Sequence, residues 1–461
     1  MRTYDDFQEA LTDKDRRQFI LDAIEEHKRS DLYKEALLAY DYYRKRNKTI
    51  LDYQKLLYTI SGKVVPDNYS ANYKLVNAFF PIFVKQEVAH LLGNGVTFNN
   101  DGTKDALGGA DFDARLKTAA KMACWGGLSF GFFNLDHVDV YSILEFVPLF
   151  GEDDGALHAG IRFWQINRNK PLHVTLFEED GYTELVYDSD YPDGRITTEK
   201  RTYVIVKQRT AVDADEIIDG QNYPSFPVVP FWGNEEHQSE LVGLREKIDC
   251  YDLIQSGFAN DLDDASQIYW TITNAGGMDD MDLVKFVERM KTVKAAVVDD
   301  EGSRAEAHTL EVPHEARQRL LADLRDSLYR DAMALDTDRI TAGSITATAI
   351  NSAYENLSLK CDDFESCVTA FIRGLLNLAG IDDEPTYKRS KIINMQEETQ
   401  MILSAAQYLD TETVLKHLPF LSPDEIETIL EKLTQEEAER YANISNEETD
   451  GQTTDEDGAS A

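Results

Sequence analysis

Two amphipathic helices of similar length bracket a short mixed module in the second half of this chain, and few folds accommodate that order. Leu241, Leu244, Ile248, Tyr251, Ile254, Phe258 and Leu262 step by three or four residues, which predicts a helix of about six turns. A strand over 267–273, a Gly276-Gly277 turn, a helix over 280–291 and strands over 294–298 and 307–312 follow. Pro313 then opens a second helix, with Leu321, Leu324, Leu328, Ala332 and Leu335 in register. The simplest packing of this order is two antiparallel helices that lead out to a small tip and back.

Upstream, residues 12–43 read as helical, with Phe19, Ile20, Ala23 and Ile24 on one side. They end in the densest basic run of the chain, Tyr42 to Lys48, which suits a solvated helix end better than a binding patch. Residues 72–92 carry a helical apolar stripe that Pro81 should kink, and Gly93-Asn94-Gly95 ends it. A helix over 112–125 leads through Gly126-Gly127 into antiparallel strands at 130–135, 161–166, 173–177, 183–187 and 202–207. Downstream, 336–349 is rich in Thr, Ser, Ala and Gly, and 351–379 predicts one helix of roughly 40 Å, stopped by Gly380. Residues 394–441 read as helical, broken at Pro419 and Pro423, with Ser422 or Asp424 as a cap. The segment 446–461 has six acids and no base, the composition of a disordered tail.

Composition narrows the function. The 461 residues suffice for two or three domains, and 42% hydrophobic content supports a buried core. With 47 Lys+Arg against 84 Asp+Glu the formal net charge is −37. That excess argues against ordinary nucleic-acid binding, which needs cations to release counterions, yet suits a wall past which DNA slides. Cys124, Cys250, Cys361 and Cys367 form no C-x-x-C pair and read as reduced thiols. No signal-peptide core and no apolar run of membrane-spanning length is present.

Several local patterns then add up. Tyr42-Tyr43 precedes a polar run and Ile50-Leu51; Lys74-Leu-Val-Asn-Ala-Phe precedes Leu91-Leu92-Gly93-Asn94-Gly95-Val96-Thr97. Pro230-Phe-Trp-Gly-Asn-Glu is followed by Ser239-Glu-Leu-Val-Gly-Leu and Ile248-Asp-Cys-Tyr, and Ser344 to Ala349 by Tyr354-Glu-Asn-Leu and Lys360. In this order they resemble the portal (head-to-tail connector) proteins of siphovirus-type tailed double-stranded DNA bacteriophages, although Gly95 stands where Pro is common. The resemblance implies an α+β, mainly helical portal fold with wing, stem, clip and crown regions. Its expected parts are a wing at 1–240, stem helices at 241–266 and 313–335 around a clip at 267–312, and a tunnel loop at 336–349. A long wing helix at 350–392, a crown at 393–445 and the acidic tail at 446–461 complete it. Leu244, Ile248 and Tyr251 would pack the stem against Leu321, Leu324 and Leu328, while Asp336, Arg339, Thr341, Ser344 and Thr346 would face DNA. The implied particle is a homo-oligomeric ring, typically of twelve subunits, at the capsid portal vertex of the virion, assembled in the host cytoplasm. Its implied partners are the DNA in the channel, a terminase packaging motor, the major capsid protein, a scaffolding protein and a head-completion adaptor. No catalysis, cofactor, metal or membrane is implied.

Rival motifs are weak. Gly127-Leu-Ser129-Phe-Gly131 fits G-x-S-x-G, but helix precedes and strand follows the serine, the reverse of a nucleophile elbow. Ser61-Gly62-Lys63 lacks the upstream glycine of a Walker A loop. His308 and His314 lack cysteines at zinc spacing, and the acids of 260–264 lack a calcium-loop glycine and read as a solvated helix end. The alternative function is a metal-dependent hydrolase or nuclease with a non-obvious carboxylate site.

Overall fold

The computed structural model describes residues 2–58, 62–68, 70–209, 215–265, 269–273, 285, 304–308, 313–338, 347–390, 399, 402–418, 426 and 428–435. Met1–Asp336 with Asn356–Ser390 forms one compact unit, and Thr337–Glu355 with Lys391–Ala461 another. The fold is α+β.

Two apolar cores organise the first unit. In the smaller one, α1 (Tyr4–Gln8) and α2 (Asp13–Arg29) cover one antiparallel sheet. That sheet has the order β10-β9-β8-β7-β6, from β6 (Phe146–Phe150) and β7 (Leu157–Trp164) through β8 (Leu172–Glu178) and β9 (Gly181–Tyr187) to β10 (Arg195–Arg201). Phe19, Ile20, Ala23 and Ile24 of α2 meet Val147, Ile161, Val174 and Leu176 of the sheet there. Gly160 of β7 faces the Phe146 ring so closely that a Cβ would overlap it, so the sheet admits no side chain at that point.

The expected helix over 12–43 is two helices. Ser30 breaks it with extended backbone (φ −63°, ψ 154°): its Oγ donates to His27 O at 2.6 Å and accepts from Tyr33 N at 3.2 Å. One hydroxyl thus ends α2 and starts α3 (Asp31–Tyr43). The basic run after α3 is a helix end, with Arg44 over the Tyr40 ring and Lys48 paired to Asp41 at 2.8 Å beside α4 (Lys48–Leu51).

The larger core lies around α5 (Phe79–Leu92), α7 (Phe112–Gly126) and a three-stranded sheet of order β13-β4-β5. Its strands are β4 (Leu128–Asn134), β5 (His137–Ser142) and β13 (Val228–Trp232). Phe231 stacks on Phe371 at 4.7 Å between ring centres, which brings a long helix from far downstream onto this sheet. Gly127 takes φ +77°, a left-handed cap that turns α7 directly into β4, and the buried Ser129 donates to Ala119 O at 2.9 Å. The G-x-S-x-G match is therefore a turn with its hydroxyl already engaged.

A second correction concerns residues 72–92. Helix begins only at Phe79, so Pro81 sits in the first turn, where a missing N–H costs nothing. Residues 71–78 are non-helical, because their amides find better acceptors outside the chain's own backbone, described below. Strands beyond the five expected also form: β5, β6, β10, β12 (Asp215–Gln221, paired with β11, Val204–Arg209) and β13. The strand expected at 307–312 is Arg304–His308, and residues 309–312 lie outside the described ones. So do the Gly276-Gly277 turn, the strand at 294–298, most of the helix at 280–291, Ser422, Asp424 and the acidic tail. In the second unit Asp410, extended and accepting from Thr413 N at 3.0 Å, starts the helix Thr411–His417, so the 394–441 stretch breaks before its prolines.

Candidate functional site

The paired helices exist as an antiparallel pair. Helix α8 (Arg245–Ala265) and α9 (His314–Asp331) pack side by side. Lys247 at the start of α8 pairs with Asp331 at the end of α9 and donates to Ser327 Oγ at 2.9 Å. At the opposite end Asp261 pairs with Arg317, whose guanidinium lies over the Phe258 ring. Between the helices in sequence, β14 (Tyr269–Thr273) and β15 (Arg304–His308) pair antiparallel, Tyr269 opposite His308 and Thr273 opposite Arg304.

Burial is uneven along the pair. Leu244, Ile248, Leu328 and Ala332 are buried in the larger core, and Tyr251 meets Phe79 edge-on at 5.0 Å. Leu321 and Leu324 are half-buried, and Leu262 and Leu320 are exposed.

A polar stripe on α8 holds the extended strap of residues 72–78. The amides of Tyr73, Leu75 and Asn77 donate to Asn260 Oδ1 (2.7 Å), Ser256 Oγ (3.0 Å) and Asp252 Oδ1 (3.0 Å). The match is geometric. Two residues of extended chain advance about 6.6 Å and four residues of helix about 6 Å, so alternate amides meet every fourth side chain. Asp252 also accepts from Asn47 Nδ2 at 2.5 Å, and Asp249 accepts from Thr49 Oγ1 at 2.7 Å and from the Tyr42 hydroxyl. Burial pushes the Asp252 carboxyl up, against the Asn77 and Asn47 hydrogen bonds that favour its anion. Asn260, read above as part of a solvated helix end, is buried here. Sequence reasoning missed this stripe; its signal was the four-residue spacing of Asp252, Ser256 and Asn260 opposite the apolar face.

Ionic contacts fix the approaches to the pair. Lys360, on α10 (Ala347–Ala379), places Nζ 2.9 Å from Glu87 Oε2 on α5 and 2.5 Å from Glu240 Oε2 on the lead-in to α8. Burial pushes the Glu87 carboxyl up to about 7, opposed by Lys360 and reinforced by Glu240. Burial works against the Lys360 ammonium, but the two carboxylates overcome it and raise its pKa. After α9, Gln86 brackets Leu335, donating to its carbonyl at 2.9 Å and accepting from its amide at 3.2 Å. Asp336 follows, its largely buried carboxylate 2.9 Å from Arg325 Nη2. Arg339, Thr341, Ser344 and Thr346 lie outside the described residues.

Among the described residues no group of three or more His, Cys, Asp or Glu could hold a metal ion, and no helix is long and apolar enough to cross a membrane.

Residues 22–448 match the family described as phage portal protein, SPP1 Gp6-like. The chain belongs to that family. Known portal proteins agree: the one from Clostridium phage phiCD119 is 32% identical over 225 residues, 47% of this chain and 49% of that protein. The portal protein of Bacillus phage SPP1 is 23% identical over 446 residues, 88% of this chain and 85% of that one. This chain thus spans about half the length of the first of these portal relatives and most of the second. Among solved structures, chains from the necks of an empty gene transfer agent particle (C6 symmetry) and a native one (C12 symmetry) resemble it at 12% identity and a TM-score of 0.42. They cover 74% and 75% of this chain and 90% of each of those chains. Portal proteins are structural, which leaves the hydrolase or nuclease alternative without support.

Proposed function

We propose that copies of this portal chain, typically twelve, close into a ring at one capsid vertex and form the channel through which double-stranded DNA is packaged and ejected. One observation carries the reading: a chain of the portal family holds an antiparallel helix pair, α8 and α9, with two paired antiparallel strands, β14 and β15, between them in sequence. In this reading 241–266 and 313–335 are the stem, 267–312 the clip where a terminase motor docks, 1–240 with 350–392 the wing, and 393–445 the crown. Capsid, scaffolding and head-completion proteins meet the outer surfaces, and the ring works in the virion after assembly in the host cytoplasm. The chain itself needs no catalytic group, because the motor supplies the work.

The charge supports a conduit. A formal net charge of −37 gives DNA phosphates little to bind, so the duplex passes without lasting contact. The loop 336–349 carries one cation, Arg339, beside the hydroxyls of Thr341, Ser344 and Thr346, a set suited to brief backbone contact without base readout.

Negative-stain imaging and native mass measurement of purified protein test the ring. Closed rings are expected; a monomer with metal-dependent turnover overturns the reading. For the loop, Arg339→Ala should shorten the packaged DNA, and an unchanged packaged length removes its role.

A further inference from the structure

A small hairpin whose root packs on α8 carries exposed apolar side chains. Strands β1 (Leu56–Tyr58) and β2 (Val64–Pro66) pair antiparallel, with Leu56 opposite Pro66, Leu57 opposite Val65 and Tyr58 opposite Val64. Side chains alternate across a strand, so Leu56, Tyr58, Val64 and Pro66 share one face and Leu57 and Val65 the other. On the shared face Leu56 is 51% exposed, Tyr58 76% and Val64 47%. A two-stranded hairpin is marginal in water unless something packs on it. Its root is well held: Asp67 N donates to Lys55 O at 2.9 Å, Lys74 Nζ donates to Leu51 O, and the preceding α4 packs on α8.

We propose that this face docks on a neighbouring copy of the same chain and forms part of the contact that closes the ring. Charge selects that occupant. Residues 44–66 contain six cations and one acid in a chain of net charge −37, and although Lys48 pairs with Asp41 and Arg44 lies over the Tyr40 ring, the segment keeps a positive excess that acidic surface of a second copy attracts. Identical subunits of such charge otherwise repel, and a basic, apolar arm supplies both the attraction and the buried surface. Ring closure also requires one surface to meet a different one on the next subunit, which an arm reaching outward provides. Three of the four side chains on the face, Leu56, Val64 and Pro66, offer no donor to phosphate and no flat ring for a base, which favours a protein over DNA although Tyr58 carries both a ring and a hydroxyl.

The inference rests on the ring reading, and the experiment separates the two. Full-length protein and the Leu56→Ser, Tyr58→Ser double variant are compared by sedimentation and native mass across concentration, with circular dichroism and melting to confirm folding. The parent should form rings, and the folded variant should need at least tenfold more protein to do so. A parent that never forms rings defeats the ring reading; rings formed equally by both defeat the hairpin's role alone. A photo-crosslinking residue in place of Tyr58 gives an independent check in an otherwise unaltered chain. Crosslinked chain dimers are expected, whereas crosslinks only to added DNA, or only within one chain, overturn the proposal.

Discussion

Lys360→Met should lower the unfolding free energy by about 3–5 kcal/mol, the range expected when one partner of a buried ion set is removed. The ammonium lies between Glu87, buried on α5, and Glu240, before α8, with side-chain exposures of 2% and 15%. Methionine fills the volume but removes the cation that favours the Glu87 anion, so Glu87 is either left as an unpaired buried carboxylate beside Glu240 or forced to take up a proton. The double variant Lys360→Met, Glu87→Gln should recover part of the loss, since it removes the more deeply buried of the two acids and leaves only Glu240 without its cation. Denaturant unfolding followed at the first unit's aromatic core is the measurement, and a change under about 1 kcal/mol would show that the triad is not an organising contact.

The same site gives a pH dependence with a definite sign. Glu87 is raised from an ordinary 4.5 to about 7 in the fold, so the native state keeps this proton after the unfolded chain has lost it. The associated stability is complete below about pH 4.5 and disappears as pH climbs through about 7. Glu87→Gln should flatten stability across that interval. A parent profile identical to that of the variant would sink the assignment.

Asp252→Ala should have the second large effect. The carboxylate is the acceptor for the Asn77 amide and for side-chain donors from Asn77 and Asn47. The side-chain donors retain other partners, Gln255 Oε1 at 2.6 Å and Asn77 O at 3.3 Å, but the Asn77 backbone N–H does not. Losing these charge-assisted bonds and orphaning a part-buried donor should cost about 2–3 kcal/mol. The strap should loosen first, so exchange of the Tyr73, Leu75 and Asn77 amides should accelerate at least tenfold relative to amides inside α5. Asp252→Asn should sit between parent and alanine variant, because one oxygen remains. Unchanged protection at all three amides would mean that the strap is held by something else.

These contacts mark the boundary of what the sequence reveals. Periodicity placed α7, α8, α9 and α10 well, because their apolar faces enter one core and the spacing of Leu244, Ile248, Phe364 and Phe371 reports that directly. The break at Ser30 escaped because a serine inside a periodic run reads as tolerated polar surface; only the hydrogen bonds at both its ends reveal a double cap. Residues 72–78 were misread as helix for a related reason. Their apolar spacing fits a helix, but the strap's amides are satisfied by side chains almost two hundred residues downstream, and no local pattern carries that. Strand β10, with an exposed and charged sequence from Arg195 to Arg201, has no alternation strong enough to announce it and forms by pairing with β9. At the candidate site, Leu244, Ile248 and Leu328 lie in the core while Leu321 and Leu324 are only half-buried, and the Glu87–Lys360–Glu240 triad was not legible, since three charged residues far apart in sequence look like solvated surface.

The helix pair is anchored like a fishing rod. At the butt, Ile248 and Leu328 are sealed from water; toward the tip, Leu262 and Leu320 stay wet and the Arg317–Asp261 pair supplies the crosslink. Dry contacts ignore ionic strength, whereas a hydrated ion pair is screened by it. Salt therefore weakens the ion pairs at both ends, Lys247–Asp331 as well as Arg317–Asp261, but softens the outer turns more, because only the base has a dry core to keep its grip.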